Sequence, residues 1–335
     1  MGRNARWYDQ NDEWKGQVCQ MKTKVYIDGS EGTTGLRINE RFQNRDDIEL
    51  LVINPELRKD TEERKKMINA SDITFLCLPD AAAREAVELV ENENVVIIDS
   101  STAHRTLDGW AYGFPELSKE KRDAIIHGKR IAVPGCHATG FISLAYPLVK
   151  EGILPKDYPV ASFSVTGFSG GGKKMIAQYQ DAERSMEYDS PREYALSQQH
   201  KHLPEMQKIT GLDRAPLFSP IVADYYNGML VTLPLYSSLL NKLHAPQEIH
   251  EFYSEYYKKE AFIKVMPLGA EAQNSNFLAG NSCAGWDGLQ IFITGNDDRI
   301  LISSQFDNLG KGASGAAIEC MNLVLGCEPA TGLNL

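Results

Sequence analysis

What most limits how this chain can fold is an alternation that begins just after residue 21. Short, uninterrupted apolar runs are separated by segments of helical period. The runs are "TKVYIDG" (23–29), "IELLVIN" (48–54), "DITFLCLP" (72–79) and "NVVIIDSS" (94–101). They are rich in β-branched residues and lack polar alternation, the pattern of strands covered on both faces in a parallel sheet. Between them lie "TEERKKMINA" (61–70) and "DAAAREAVELVEN" (80–92), which read as helices. Strands alternating with helices predict an α/β Rossmann-type domain with a parallel sheet.

The texture changes after about residue 150. "VASFSVTGF" (160–168), "GMLVTLPL" (228–235), "LQIFITG" (289–295) and "RILISSQF" (299–306) alternate in part, as strands with one packed face do. "APQEIHEFYSEYYKKE" (245–260) puts Ile249, Phe252, Tyr253, Tyr256 and Tyr257 on one helical face. An α+β second domain with a largely antiparallel sheet is expected. The last segment reads as a helix whose stripe of Ala313, Ala316, Ala317 and Cys320 allows close packing on a neighbour. Residues 1–20 are polar and aperiodic and are expected to lie outside the fold as an extension.

Charge and cysteine use narrow the function classes. A net charge of −10 argues against nucleic acid, whose backbone is met by clustered Lys and Arg. The apolar runs are too short to cross a membrane, and no apolar stretch opens the chain as a secretory signal would. The cysteines, Cys19, Cys77, Cys136, Cys283, Cys320 and Cys327, form no C-x-x-C pair, so neither metal nor disulfide framework is expected. A reduced, cytoplasmic setting follows.

Two loops point to a dinucleotide. "DGSEGTTG" sets Gly29, Gly32 and Gly35 between the first strand and a helix, with Ser30, Thr33 and Thr34 among them. Such a turn brings backbone close to a pyrophosphate and aims free helix N–H groups at it. Where the second strand ends, "NPELRKD" offers Glu56 but also Arg58 and Lys59. The two cations favour NADP(H) through its 2′-phosphate, the alternative being a solvated charged helix start.

"VPGCHATG" (133–140) raises the question of chemistry. A strand, a Pro-Gly turn and a helix starting near Ala138 would leave Cys136 at a helix N-terminus, where amide dipoles lower a thiol pKa. The competing reading is a small buried cysteine between glycines. Pro147 in the same helix implies a kink or an early end. His104, His137, His200 and His202 are the candidate proton carriers. In "QQHKHLPEM" the proline favours extended chain before it, so His200 and His202 would share one face; His137, adjacent to the cysteine, should point elsewhere. "TGFSGGGKK" (166–174) and "DSSTAHR" (99–105) supply amides and cations suited to an anion.

Taken together, "VPGCHATGF", "TGFSGGGK", "HKHLPEM", "GFPEL" and "DNLGKGASGAA" resemble the N-acetyl-γ-glutamyl-phosphate reductases, most closely their shorter branch, from about residue 22 to the C-terminus. The related aspartate-semialdehyde dehydrogenases share the architecture and cysteine chemistry but not this motif set. The resemblance implies that Cys136 is the nucleophile, His202 the general acid/base with His200 second, and Glu205 an orienting or substrate-binding group. Arg105, Ser169, Gly170 and Lys173 would hold substrate phosphate or carboxylate. Asn308 and Gly310 would approach the nicotinamide. The C-terminal helix would then return to the first domain, making residues 21–136 with 307–335 the NADP-binding unit and 137–306 the catalytic and oligomerisation unit. The implied reaction is NADPH-dependent reduction of N-acetyl-L-glutamyl 5-phosphate to the semialdehyde, with inorganic phosphate released and a homodimer or homotetramer as the assembly. Aspartyl or aminoadipyl phosphate as substrate, or a non-catalytic NADP-binding redox sensor, are the alternatives.

Overall fold

The structure, a computed structural model, describes residues 22–335; the expected extension over residues 1–20 lies outside the described residues. The first part of the chain runs β1 (Thr23–Asp28), α1 (Thr33–Phe42), β2 (Ile48–Leu51), α2 (Thr61–Ala70), β3 (Ile73–Leu76), α3 (Asp80–Glu88) and β4 (Val96–Asp99). A short β5 (Ala111–Tyr112), α4 (Lys119–His127) and β6 (Arg130–Ala132) complete it. Among the described residues these strands form one six-stranded sheet in the order β2-β1-β3-β4-β6-β5, parallel throughout. Strand periodicity divides its side chains between two cores. Val25, Ile27, Phe75 and Ile98 face one side, while Tyr26, Leu76 and Ile97 face Ile68, Ala83 and Ala86 of α2 and α3 on the other.

From β6 the chain enters α5 (Cys136–Lys150), then β7 (Ala161–Gly167), α6 (Gly172–Gln180), β8 (Arg192–Glu193) and α7 (Leu203–Thr210). It continues through β9 (Leu217–Ala223), β10 (Met229–Tyr236), α8 (Pro246–Tyr256), β11 (Ile263–Val265), β12 (Leu289–Gly295) and β13 (Arg299–Phe306). A π-helical turn (Gly310–Ser314) leads into α9 (Gly315–Leu325). The second sheet has seven strands among the described residues, ordered β11-β12-β13-β10-β7-β9-β8. It is mixed: β12-β13-β10-β7 and β9-β8 pair antiparallel, while β11-β12 and β7-β9 pair parallel. The small-residue face of α9 lies on the parallel sheet, where Ala316, Ala317 and Cys320 join the core of Ile73, Phe75 and Ile131.

Helix α5 is the axle between the sheets, and almost all of it is buried. Gly140 lets it close on β10: a Cβ there would fall 2.4 Å from a Val231 methyl carbon. The helix neither stops nor breaks at Pro147 but runs on to Lys150. The proline removes the N–H that would bond the Ser143 carbonyl four residues back. Tyr257, just beyond α8, donates its hydroxyl to that carbonyl at 2.7 Å, and Tyr253 donates to the neighbouring carbonyl of Leu144. The aromatic face of α8 therefore satisfies the helix that the proline leaves incomplete.

Candidate active site

A cleft of about 460 Å³ opens between the two sheets at the carboxyl ends of β1, β3, β4 and β6. Ligands collect in such crevices of open α/β sheets. One end is built by the glycine loop. Gly29 has φ +85°, and a Cβ on it would lie 2.4 Å from the Cys77 carbonyl oxygen, so only glycine fits. A Cβ on Gly35 would lie 2.5 Å from the Gly29 carbonyl oxygen, which closes the turn from behind. Gly32 caps α1 without a side-chain acceptor, leaving first-turn amides open, and Gly32, Thr33 and Thr34 face the cleft. Gly29, Ser30 and Gly35 shape the loop without lining that cleft. This amide-lined, glycine-tight cradle fits a dinucleotide pyrophosphate. Arg58 stands beside it, exposed and paired with Glu31 of the loop, and Lys59 is exposed next to it.

At the other end Cys136 is the first residue of α5, capped by Gly135. The helix thus starts two residues earlier than expected, with the thiol in its first turn. Its pKa is not lowered: burial raises it to about 11, against smaller opposing effects of the His137 amide and the Arg105 and Lys201 cations. Cys136 is half-buried and lines the cleft, but its thiol sits too deep for the amide dipoles to win.

Three histidines line the same cleft. The rings of His200 and His202 are 4.6 Å apart, edge to face, and His137 lies 5.3 Å from the first and 5.7 Å from the second. The expected strand over "HKH" is not formed. The segment is a turn, with His202 in helical conformation capping α7 and its N–H donating to His200 Nδ1 at 3.1 Å. Proline at the second position of α7 permits that tight entry, so the two rings meet by a turn rather than by strand alternation. His137 does not point away either: it follows Cys136 around the helix start and bridges Ser164 Oγ and the Tyr194 hydroxyl, each at 2.6 Å. Burial holds all three imidazoles neutral, His137 at about 3, His200 at about 4 and His202 well below the ordinary histidine value. Nδ1 of His202 is buried with no hydrogen-bond partner among the described residues. His104, by contrast, is a structural residue, gripped by Asp99 at 2.6 Å and stacked on Trp110.

Arg105 enters the cleft from the loop after β4. Nε donates to the Val133 carbonyl at 2.8 Å, Nη2 to the Ser100 carbonyl at 2.9 Å and Nη1 to Glu205 at 2.7 Å. Glu205 also accepts from Tyr112 and from the Gly135 amide, which corrects its expected substrate contact: it lies behind the cleft wall and orients Arg105. In the "TGFSGGGKK" loop, Ser169 and Gly170 line the cleft, but Lys173 is exposed and turned out of it. The lysine that does line it is Lys201, between the two histidines. Asn308 donates to Ser169 Oγ at 3.0 Å and accepts from the Gly228 amide at 2.8 Å, tying the loop to the end of β13. Gly310 does not reach the cleft: a Cβ there would strike the Trp286 carbonyl oxygen at 2.6 Å, and Leu309, Gly312 and Ala313 form that wall instead. Tyr194, Lys201, Gly135 and Gly312 escaped the sequence reading. Lys201, Gly135 and Gly312 each lay inside a quoted motif, while Tyr194 had no signal there.

The matching families agree with this layout. Residues 23–125 match the semialdehyde dehydrogenase NAD-binding domain, and residues 136–308 the semialdehyde dehydrogenase dimerisation domain. N-acetyl-gamma-glutamyl-phosphate reductase 2 of Nostoc sp. is 43% identical over 320 residues, covering 93% of this chain and 99% of that protein. The chain belongs to the N-acetyl-gamma-glutamyl-phosphate reductase family. The reductase of Brucella ovis is likewise 43% identical over 311 residues, covering 91% of this chain and all (100%) of its own. The fold this family shares extends to distant relatives. Aspartate semialdehyde dehydrogenase II of Vibrio cholerae superposes with a TM-score of 0.69 at 15% identity, over 91% of this chain and 99% of its own. The Candida albicans aspartate semialdehyde dehydrogenase, solved with NADP, gives 0.61 at 14% identity, over the same shares. Cys77, Cys136, Cys283 and Cys320 are free thiols, and among the described residues no group of side chains could hold a metal and no helix is long and apolar enough to cross a membrane.

Proposed function

We propose that this chain reduces N-acetyl-L-glutamyl 5-phosphate to N-acetyl-L-glutamate 5-semialdehyde through an acyl bond to Cys136, in arginine biosynthesis. The observation that carries this reading is a thiol in the first turn of a buried helix, in a cleft it shares with neutral histidines and with an arginine held in place by a carboxylate.

The residues divide the work by their chemistry. Arg105 keeps one N–H on each terminal nitrogen beyond its protein bonds, and with Lys201, Ser169 and Gly170 these receive the substrate's anionic groups. An anion brought beside the histidines favours their protonated form, so the proton leaving Cys136 passes to His202 as substrate arrives. The thiolate attacks the acyl phosphate carbonyl, the C–O bond to phosphate breaks, and inorganic phosphate departs with a thioester left on Cys136. The α5 amides stabilise the oxyanion in both steps. Gly29, Ser30, Gly32, Thr33, Thr34 and Gly35, with Arg58 and Lys59 toward the 2′-phosphate, would hold NADPH, whose chemistry when bound would be hydride donation to the acyl carbon. His202 then returns its proton to the sulfur as the C–S bond breaks and the aldehyde leaves. His200 orders His202 through the backbone, and Asn308 holds the Ser169 loop.

We read residues 21–136 with 307–335 as the dinucleotide unit and 137–306 as the catalytic and oligomerisation unit; the packing of α9 on the parallel sheet supports this division. A homodimer, or a tetramer of two such dimers, is supported by the outer face of the second sheet, where Phe163, Leu217, Leu301 and Tyr236 are exposed. The free thiols support a cytoplasmic setting.

The test runs the reaction backwards, because the acyl phosphate is labile. Protein, N-acetylglutamate semialdehyde, phosphate and NADP should yield NADPH only when phosphate is present, and Cys136→Ala should not. Turnover with aspartate semialdehyde in place of the N-acetylated aldehyde would overturn the substrate while keeping the chemistry. Silence with both, in protein that binds NADP, would overturn the reading altogether.

A further inference from the structure

Two segments that the cleft does not use, "GFPEL" and the lysine of "DNLGKGASGAA", meet in the interior. Lys311 is almost wholly buried, and its ammonium donates to Glu116 and to Glu319, both equally buried. Its remaining side is closed by the rings of Phe262 and Phe114, with centroids at 4.6 and 5.3 Å. Three charges taken out of water rarely stabilise a fold over well-packed apolar side chains, so such a cluster asks for another explanation. Glu116 Oε2 has no partner among the described residues, and burial with the facing Glu116 raises the Glu319 pKa to about 8.

The position of Lys311 supplies the explanation. It lies inside the π-helical turn, where the amides of Gly312 and Ser314 reach back five residues to Asp307 and Leu309 at 3.0 Å. That geometry is rare and favoured mainly where function needs it. The next residue, Gly312, packs against the nucleophile: a Cβ on it would lie 3.0 Å from Cys136 Cβ. Glu319 anchors the lysine to α9, Glu116 anchors it to the loop after β5, and Phe262 precedes β11 of the other sheet.

We infer that Lys311 is a positioning residue: clamped between Glu116 and Glu319, it fixes the π-turn so that Gly312 and Ala313 form the cleft wall against Cys136. The inference deepens the proposed reaction and rests on it for its effect on turnover, but its effect on the thiol does not depend on any substrate.

The decisive variant removes the whole cluster, Glu116→Leu with Lys311→Met and Glu319→Leu, which leaves no unpaired charge and should fold. Iodoacetamide alkylation of Cys136 without ligands should quicken by about threefold or more as the turn loosens. In turnover, kcat should fall by about tenfold or more while KM for the aldehyde stays within about threefold, the signature of misplacement rather than lost binding. Cooperative melting with both alkylation and kcat within about twofold of the parent would overturn the inference. Should the triple variant fail to fold, Glu116→Gln, isosteric and carrying one change only, is read by the same two measurements with the same expected signs. A parent protein inactive with the N-acetylated aldehyde would sink the proposed function, and the alkylation comparison would still decide on Lys311.

Discussion

Arg105 and His202 converge on Gly135: a Cβ on that glycine would lie 2.5 Å from Arg105 Nη1 and 2.3 Å from His202 Nε2. The glycine backbone is ordinary extended chain, φ −76° and ψ 147°, so alanine would fit the backbone and meet its nearest clashes in these two side chains. Gly135→Ala should therefore fold and melt near the parent temperature. Its kcat/KM should drop about a hundredfold, as expected when catalytic groups move by an ångström. Activity within a factor of a few of the parent would mean that neither side chain needs its observed place.

Glu205 tests the same wall from behind. It accepts from Arg105 at 2.7 Å and from Tyr112 at 2.8 Å while barely touching solvent. Glu205→Gln keeps the shape and loses a charge-assisted bond worth about 1.5–3 kcal/mol. Steady-state kinetics should show kcat/KM lower by about ten- to a hundredfold. If Glu205 instead touched substrate, the loss would fall on KM alone.

Cys136 offers a pH reading. Its thiol pKa of about 11 in the free protein leaves roughly one thiolate per thousand molecules at pH 8, against about a quarter for an ordinary thiol. Alkylation of Cys136, measured against the Cys136→Ala background, should keep rising with pH from 7 to about 10. A plateau near pH 8 would show that the helix start does activate the thiol before any substrate binds.

The histidine cluster also sets acid stability. His137 and His200 have folded-state values of about 3 and 4, below the ordinary value near 6.5, and His202 shifts the same way. A depressed value means the unfolded chain binds more protons below pH 6.5, so stability is full above that pH and is lost as pH falls toward 4 and 3. Each histidine adds about 1.4 kcal/mol per pH unit to that slope. Urea unfolding at pH 7, 6 and 5 should give steadily lower stability, and His137→Phe should flatten the decline.

How far the sequence could be read depended on whether geometry was local. Strands β1, β3 and β4 announced themselves because burial on both faces forbids polar alternation, and Gly29 because its turn admits nothing else. The Cys136 helix start was legible for the same reason. Local pattern could not reveal that Pro147 would be tolerated, since its orphaned carbonyl is answered by Tyr257 from a helix about a hundred residues later in the chain. Nor could it reveal Tyr194, which lines the cleft and bonds His137 from a segment 57 residues away, or the Glu116–Lys311 pair, 195 residues apart. The sign of the thiol shift was missed because depth, unlike helix position, is a property of the assembled fold.

In the proposed function the cofactor preference falls to Arg58 and Lys59, in the turn between β2 and α2. Arg58 is exposed and rests against Glu31 of the glycine loop, an ion pair of the surface kind that contributes about 1 kcal/mol or less and exchanges readily. A 2′-phosphate arriving beside the loop offers Arg58 a stronger, doubly charged partner and meets repulsion from Glu31. Arg58→Ala with Lys59→Ala should raise KM for NADPH by about tenfold or more and leave KM for NADH nearly unchanged. Glu31→Gln should act the other way, tightening NADPH by freeing Arg58 and removing the opposing carboxylate. If both variants moved NADPH and NADH together, the cations would be serving the pyrophosphate or the loop itself, and the 2′-phosphate would have to be read by other residues.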